Sequence, residues 1–321
     1  MAAWVIGIDE AGYGPNLGPL VMTSVACRVP DALLGRDFWQ VLGPAVRRCG
    51  GDGGPVVVDD SKAVYGSAQG LAALEANVLA TVAPRADGAA LTLATYLDRV
   101  CPDCVADVRG EVWYTGGTAL PAESAAEALA PLASCFAETC GGAGLRWGLA
   151  RSVVVCAPRF NGLLDRHGSK ASVLAHGLTE LLRWNVGDLA GDEPLHFFVD
   201  KHGGRNSYAA MLQDAVQEGM VIAVEEGPNR SSYRVLGSSS VLTITFQPRA
   251  DAEHFCVALA SMSSKYLREL LMLEFNRFWQ THVPGLKPTA GYPGDAARYL
   301  DGIRSALEKL GLPESAVWRR K

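Results

Sequence analysis

Apolar positions recur along this chain in two periods, about 2 and about 3.6 residues, and their order predicts a mixed α/β fold. WVIGID at 4–9 is a short apolar run with β-branched residues and reads as a buried strand. LVMTSVACR at 20–28 alternates as a second strand, joined to the first by the Gly/Pro-rich AGYGPNLGP. So short a link predicts antiparallel pairing. VVVDDSK at 56–62 reads as a strand end running into polar residues, and SAQGLAALEANVLATVA at 67–83 has helical spacing.

RSVVVCAP at 151–158 predicts a strand, and KASVLAHGLTELLRWNV at 170–186 an amphipathic helix. PLHFFVD at 194–200 is the clearest buried strand in the chain, ending on Asp200. A helix over 206–219 and strands around VIAVEE and VLTITF follow, with a mostly helical part from Asp251 onward. Between Pro84 and Gly144 the character changes to Ala- and Gly-rich sequence holding four of the eight cysteines. The expected division is therefore 1–83 with 145–321 as one domain and 84–144 as an insertion. A single core of about 200 residues carrying an insertion suits the length.

Composition narrows this picture little. Hydrophobic content of 49% and charged content of 20% describe a protein with a sizeable core. A net charge of −5 argues against a wholly basic nucleic-acid glove but leaves room for a local basic groove. MAAWVIGIDE carries no basic stretch ahead of an apolar one, so no signal peptide is expected. No apolar run approaches the 18 or so residues of a membrane span. The expectation is a cytoplasmic protein with its cysteines as thiols.

Chemistry gathers where strands end. Asp9 and Glu10 point to opposite faces if the first strand continues, and to one site if a turn starts at once. Asp200 stands at the tip of FFVD, followed by Lys201, His202 and Arg205 in a glycine-containing loop suited to a metal-bound phosphate, or to an ordinary βα turn. Asp59, Asp60 and Ser61 precede Lys62, which reads equally as a capped helix start or as a phosphate contact. Oxygen ligands from separate strand ends, with no histidine pair at metal spacing, favour Mg²⁺ or Mn²⁺. A pair of such ions activates water and stabilises the leaving oxygen in phosphodiester cleavage.

These residues resemble the type 2 ribonuclease H family. GIDEAGYGPNLGPLV at 7–21 is similar to that family's opening signature, and DSKAV at 60–64 to its Asp-Ser-Lys segment. Phe160 and Asn161 resemble its Ile-Asn step, FFVD its third acidic strand end, and AGYP at 290–293 its Lys-Gly-Tyr segment. RADAEHFCVALASMSSKYLREL at 249–270 resembles a helix reading roughly Ala-Ser-Ile-Ile-Ala-Lys-Val-x-Arg-Asp, with Ser261, Lys265 and Arg268 in register and Glu269 at the fourth acid. The matches run in order over most of the chain, the insertion excepted.

The resemblance implies a ribonuclease H-like mixed five-stranded sheet flanked by helices, with a helical C-terminal part. It implies a metal-dependent endonuclease cutting the RNA strand of RNA–DNA hybrids or of ribonucleotide-containing duplex DNA. Asp9, Glu10, Asp200 and Glu269 would bind the metals. Lys62, Asn161, Lys265 and Arg268 would contact substrate, phosphate contacts positioning without reading sequence. Gly12, Tyr13 and Gly14 would meet the 2′-OH, and Tyr292 would stack beneath the sugar beside the cut.

Tyr13 departs from an arginine, Ala290 from a lysine, and Glu269 is one methylene longer than aspartate. Two alternatives follow: a catalytically impaired hybrid-binding module, and a related nuclease acting on DNA. Cys101-x-x-Cys104 with Cys135 and Cys140 reads as small buried hydrophobes rather than a zinc site. His202 reads as a solvated loop histidine, and Phe275, Phe278 and Trp279 as core.

Overall fold

Ten strands organise the chain in a computed structural model that describes residues 1–82, 91–148, 150–189, 191–216, 219–238 and 240–320. In chain order they are β1 Ala2–Ala11, β2 Leu20–Pro30, β3 Val46–Arg47, β4 Val56–Val57, β5 Arg146–Trp147, β6 Arg151–Val155, β7 Leu195–Asp200, β8 Met220–Glu226, β9 Ser231–Leu236 and β10 Leu242–Gln247. β1 and β2 pair antiparallel along their length, from Ala2 opposite Pro30 to Ala11 opposite Val21. β6 and β5 both pair antiparallel with β2, one against its start and one against its end. On its other side β1 runs parallel to β7, and β7 parallel to β10.

The five strands β6, β2, β1, β7 and β10 make the expected mixed sheet, and β5, β9 and β8 extend it to eight. β9 lies within SSYRVL, whose serines and arginine hid it in the sequence. VVVDDSK is no strand of this sheet: only Val56–Val57 pairs, parallel with β3, in a separate two-stranded piece. The helix expected over 206–219 covers only Ala209–Ala215, and 217–218 lie outside the described residues.

Alternation along the strands builds a core on each face of the sheet. Ile6, Ile8, Leu20 and Met22 face helices Ala157–His167 and Lys170–Asp188, with Phe160, Val173 and Leu178 in the same cluster. Val21, Val25, Cys27 and Val29 face the 28-residue helix Phe255–His282. That long helix buries Phe275 and Trp279 fully, as expected for core aromatics.

The described part of the 84–144 segment packs into the second core through Leu93, Tyr96, Leu97 and Phe136. Two buried carboxylates tie it down. Glu75 accepts the amides of Ala122, Glu123 and Ser124 at 2.7–2.8 Å and the Tyr266 hydroxyl at 2.8 Å. Glu274 accepts the amides of Thr115 and Gly116 at 2.8 and 3.0 Å and the hydroxyls of Thr115 and Thr118 at 2.9 Å. Cys101 and Cys104 form a disulfide, which corrects the expectation of thiols throughout; the i, i+3 step across a helix junction brings their sulfurs together. Cys135 and Cys140 remain free, the first partly exposed and the second buried.

Candidate active site

The parallel register of β1 and β7 sets Ile8 beside Val199, so Asp9 and Asp200 come next on adjacent strands. β1 does not turn after Asp9: it continues through Glu10 to Ala11, with Asp9 opposite Thr23 and Glu10 opposite Met22. Asp9 and Glu10 therefore leave the strand on opposite faces. Both still feel Asp200. Burial, then the charges of Glu10 and Asp200, hold the Asp9 carboxyl well above the usual carboxylate range. Burial and Asp200 push Glu10 up to about 7, with Lys62 pulling the other way. Asp200 is raised chiefly by burial and secondarily by Asp251, against the amide of Ala250, which donates to its Oδ1 at 2.9 Å.

Asp251, which sequence reading passed over, joins this neighbourhood. It stands in the short Ala250–Glu253 helix that follows Arg249, the described residues' one non-glycine in the left-handed region at φ 57°. That turn brings the Ala250 amide onto Asp200 and Asp251 into its field. Burial and Asp60 raise the Asp251 carboxyl, and Lys62 opposes them. Four carboxylates thus share one neighbourhood, and an exposed lysine faces two of them. The available signal was the acid in RADAEH, just ahead of the helix.

Glu269 belongs elsewhere. It lies on the long helix, where Lys265 donates to its Oε1 at 2.7 Å and the Tyr65 hydroxyl to its Oε2 at 3.2 Å. Lys265 also sits 4.5 Å over the Tyr65 ring, so its ammonium is engaged rather than presented to solvent. Arg268 is 1% exposed and donates to the carbonyls of Pro19, Leu17 and Ala290. It holds the glycine loop and the 290–292 turn together, and its burial takes it out of reach of a phosphate. Asn161 is likewise buried: its Nδ2 donates to Trp318 and Ser315 carbonyls at 2.8 and 3.2 Å, and its Oδ1 accepts the Arg320 amide at 2.9 Å. Glu269, Lys265, Arg268 and Asn161 all have their polar atoms engaged within the scaffold.

Asp60 caps the Ser61–Tyr65 helix, accepting the Lys62 amide at 2.7 Å, while the Lys62 side chain stays exposed beside the acids. The capped-helix reading of that segment holds, and Lys62 is left exposed toward the acids. Gly12, at φ 89°, allows Arg268 to pass where a Cβ would come within 2.6 Å of its side chain. Tyr292 is 49% exposed, and its ring edge comes 4.0 Å from the Cβ position of Gly14. Glycine loop and tyrosine thus lie side by side.

His202 is not solvated. It is 8% exposed, packs against Tyr208 and Phe246 rings, and neither ring nitrogen has a partner. Burial drives its pKa down to about 4, which keeps it neutral. Lys201 turns inward to Asn206 and to the Gly227 carbonyl. Among the described residues no three acid, histidine or cysteine side chains are gathered closely enough to hold an ion as they stand. The donor set nevertheless suits a hard divalent cation: carboxylates that raise one another's pKa lack the positive charge that would let them ionise together.

No family model and no curated protein matches the chain. Its architecture resembles that of type 2 ribonucleases H. Ribonuclease H2 from Pyrococcus horikoshii shares 14% identity, with 98% of this chain and 92% of that one covered at a TM-score of 0.44. Ribonuclease HII from Archaeoglobus fulgidus, solved with PCNA, shares 16% identity over 99% and 94% at 0.43. Bst-RNase HIII, solved with Mn²⁺, shares 17% over 99% and 66% at 0.45. At that distance, what this chain does has to come from its own side chains. Among the described residues no helix is long and apolar enough to cross a membrane.

Proposed function

We propose that this chain is a metal-dependent endonuclease that hydrolyses the RNA strand of RNA–DNA hybrids, leaving 5′-phosphate and 3′-hydroxyl ends. The observation that carries this reading is the cluster of Asp9, Glu10 and Asp200 at the ends of β1 and β7, with Asp251 on the short helix beside Asp200. Three of these acids feel Asp200 or are Asp200 itself, and all four sit above their ordinary pKa. Such an arrangement is costly for the empty chain and is relieved by Mg²⁺ or Mn²⁺. When bound, the metal supplies charge for activating water and stabilising the leaving oxygen.

The chain's own residues do the rest. Lys62 offers a cation to the phosphate beside the acids. Gly12, Tyr13 and Gly14 present backbone to the sugar, where a 2′-OH separates RNA from DNA. Tyr292 offers an exposed ring beside that loop to the sugar next to the cut. The impaired reading rests on Glu269 as the fourth acid; the present reading takes Asp251 instead, supported by the effect of its charge on Asp200.

The test is cleavage of two end-labelled duplexes in Mg²⁺ or Mn²⁺, one a continuous hybrid and one DNA holding a single ribonucleotide. Cutting that needs metal and disappears in Asp9→Asn supports the reading. Equal cutting of an all-DNA duplex would replace it with a DNA nuclease.

A further inference from the structure

Arg319 reaches the glycine loop from across the chain. Its side chain is fully buried, and its Nη2 donates to the Gly12 carbonyl at 2.7 Å and also to that of Pro15. The guanidinium stacks 4.9 Å from the Phe160 ring centre, and its Nε and Nη1 have no partner. Backbone contacts reinforce the link. The Arg319 amide donates to Asn16 O at 2.8 Å, and Asn16 Nδ2 returns to Arg319 O at 3.1 Å. Leu17 forms a bridge with Trp318. Behind this segment stands Asn161, which grips the backbone of Ser315, Trp318 and Arg320.

Burying a guanidinium costs several kcal/mol unless its donors are used. Here one nitrogen is used on two carbonyls that flank Tyr13 and Gly14. Fixing those carbonyls inward fixes the peptide planes between them, which are the groups that meet the sugar in the reading above. Arg268 fixes the far end of the same loop through Leu17 and Pro19. The loop is thus held at both ends by buried arginines, one of them 307 positions away in sequence.

We propose that Arg319 is the positioning residue of the glycine loop, so that discrimination for the ribose depends on a side chain that never touches the substrate. This rests on the hybrid-cleaving reading and names what sets its specificity. The step is purely geometric: carbonyls turned toward Arg319 leave the loop one conformation in which to meet a 2′-OH.

The experiment compares wild type with Arg319→Met, Arg319→Lys and Asn161→Ala. Three quantities are read: kcat and KM on hybrid with Mn²⁺, the affinity ratio of hybrid to all-DNA duplex in Ca²⁺, and amide exchange over residues 12–17. Arg319→Met should speed exchange in the loop at least tenfold and lower hybrid kcat/KM ten- to hundredfold, the scale of an ångström's misplacement. The hybrid-to-DNA ratio should fall with it. Arg319→Lys should recover part of each, and Asn161→Ala should give a weaker version of the same pattern. Should the Met variant fail to fold, the lysine and Asn161 variants carry the test.

Mn²⁺ binding, followed by titration, should stay within twofold of wild type, because Arg319 touches no acid of the cluster. Unchanged loop exchange in Arg319→Met and Arg319→Lys overturns the proposal, as does a loosened loop with an unchanged hybrid-to-DNA ratio. If wild type neither binds nor cuts hybrid, the recognition role falls with the function. The exchange arm then still reports whether the pin exists.

Discussion

The hydroxyl of Ser264 donates to the backbone carbonyl of Asp9 at 3.0 Å, joining the long helix to the end of β1 across 255 positions of sequence. That contact needs the helix close against the strand, and Gly7 provides the room. A Cβ at Gly7 would lie 2.2 Å from backbone atoms of Cys256 and Val257. Backbone cannot rotate out of the way as a side chain can. Gly7→Ala is therefore expected to cost about 3 kcal/mol or more in a urea unfolding experiment, at the upper end of overpacking effects. A change below about 1 kcal/mol would mean that the helix shifts freely, and the strand-end geometry would lose its support.

Asp251 and Glu269 separate cleanly by substitution. Asp251→Asn should remove metal-dependent cleavage as thoroughly as Asp9→Asn, since both acids belong to the acidic cluster. Glu269→Gln should keep cleavage within about tenfold, a barrier change of about 1.4 kcal/mol, and lose about 1 kcal/mol of stability with its Lys265 pair. Single-turnover cleavage together with thermal melting measures both. The reverse pattern, activity lost in Glu269→Gln and kept in Asp251→Asn, would relocate the site.

The parts of this fold legible in the sequence were those whose pattern is local. WVIGID and FFVD announce β1 and β7 because β-branched and aromatic runs end abruptly in acids, and the acids at those ends are the ones that meet. Asp251 was illegible because its role depends on a turn through Arg249 that aims the short helix back at Asp200. Glu269 stands out only through the resemblance of 249–270 to a family helix with Lys265 and Arg268 in register, and those side chains turn into the scaffold. Composition alone set the 84–144 segment apart. What that reading could not see was Glu75 and Glu274 reaching from other elements to hold its backbone. β9 escaped because Ser231, Ser232 and Arg234 break the apolar pattern of a strand whose Tyr233 and Val235 are buried.

Glu274 makes the attachment of that segment testable. Its Oε2 accepts two backbone amides, from Thr115 and Gly116, and its Oε1 two hydroxyls. A glutamine can keep its oxygen on the two amides, but its NH₂ must then donate to the hydroxyls, and the charge that strengthens all four bonds is gone. Glu274→Gln should cost about 2–4 kcal/mol. Proteolysis should then open the chain near 115–118 first. Wild-type stability and cleavage kinetics in Glu274→Gln would show that the segment is held by its apolar contacts alone.

The strand-end acids also fix how stability depends on pH when no divalent ion is present. Glu10 keeps its proton in the folded chain up to about 7, whereas an unfolded chain releases it near 4.5. Between those values the folded state binds the extra proton, so stability falls as pH rises, by up to about 3 kcal/mol from this group. Asp9 is raised as well and acts in the same direction. Melting in EDTA should therefore shift to lower temperature from pH 5 to pH 8. Glu10→Gln should flatten the curve and melt higher than wild type at pH 8. Mg²⁺ or Mn²⁺ should restore wild type at pH 8 and leave Glu10→Gln much less changed, because the repulsion it relieves is already partly gone. A metal-free protein that instead gains stability across pH 5–7 would mean that the acids are already neutralised by the chain, and the case for a cation between β1 and β7 would fail.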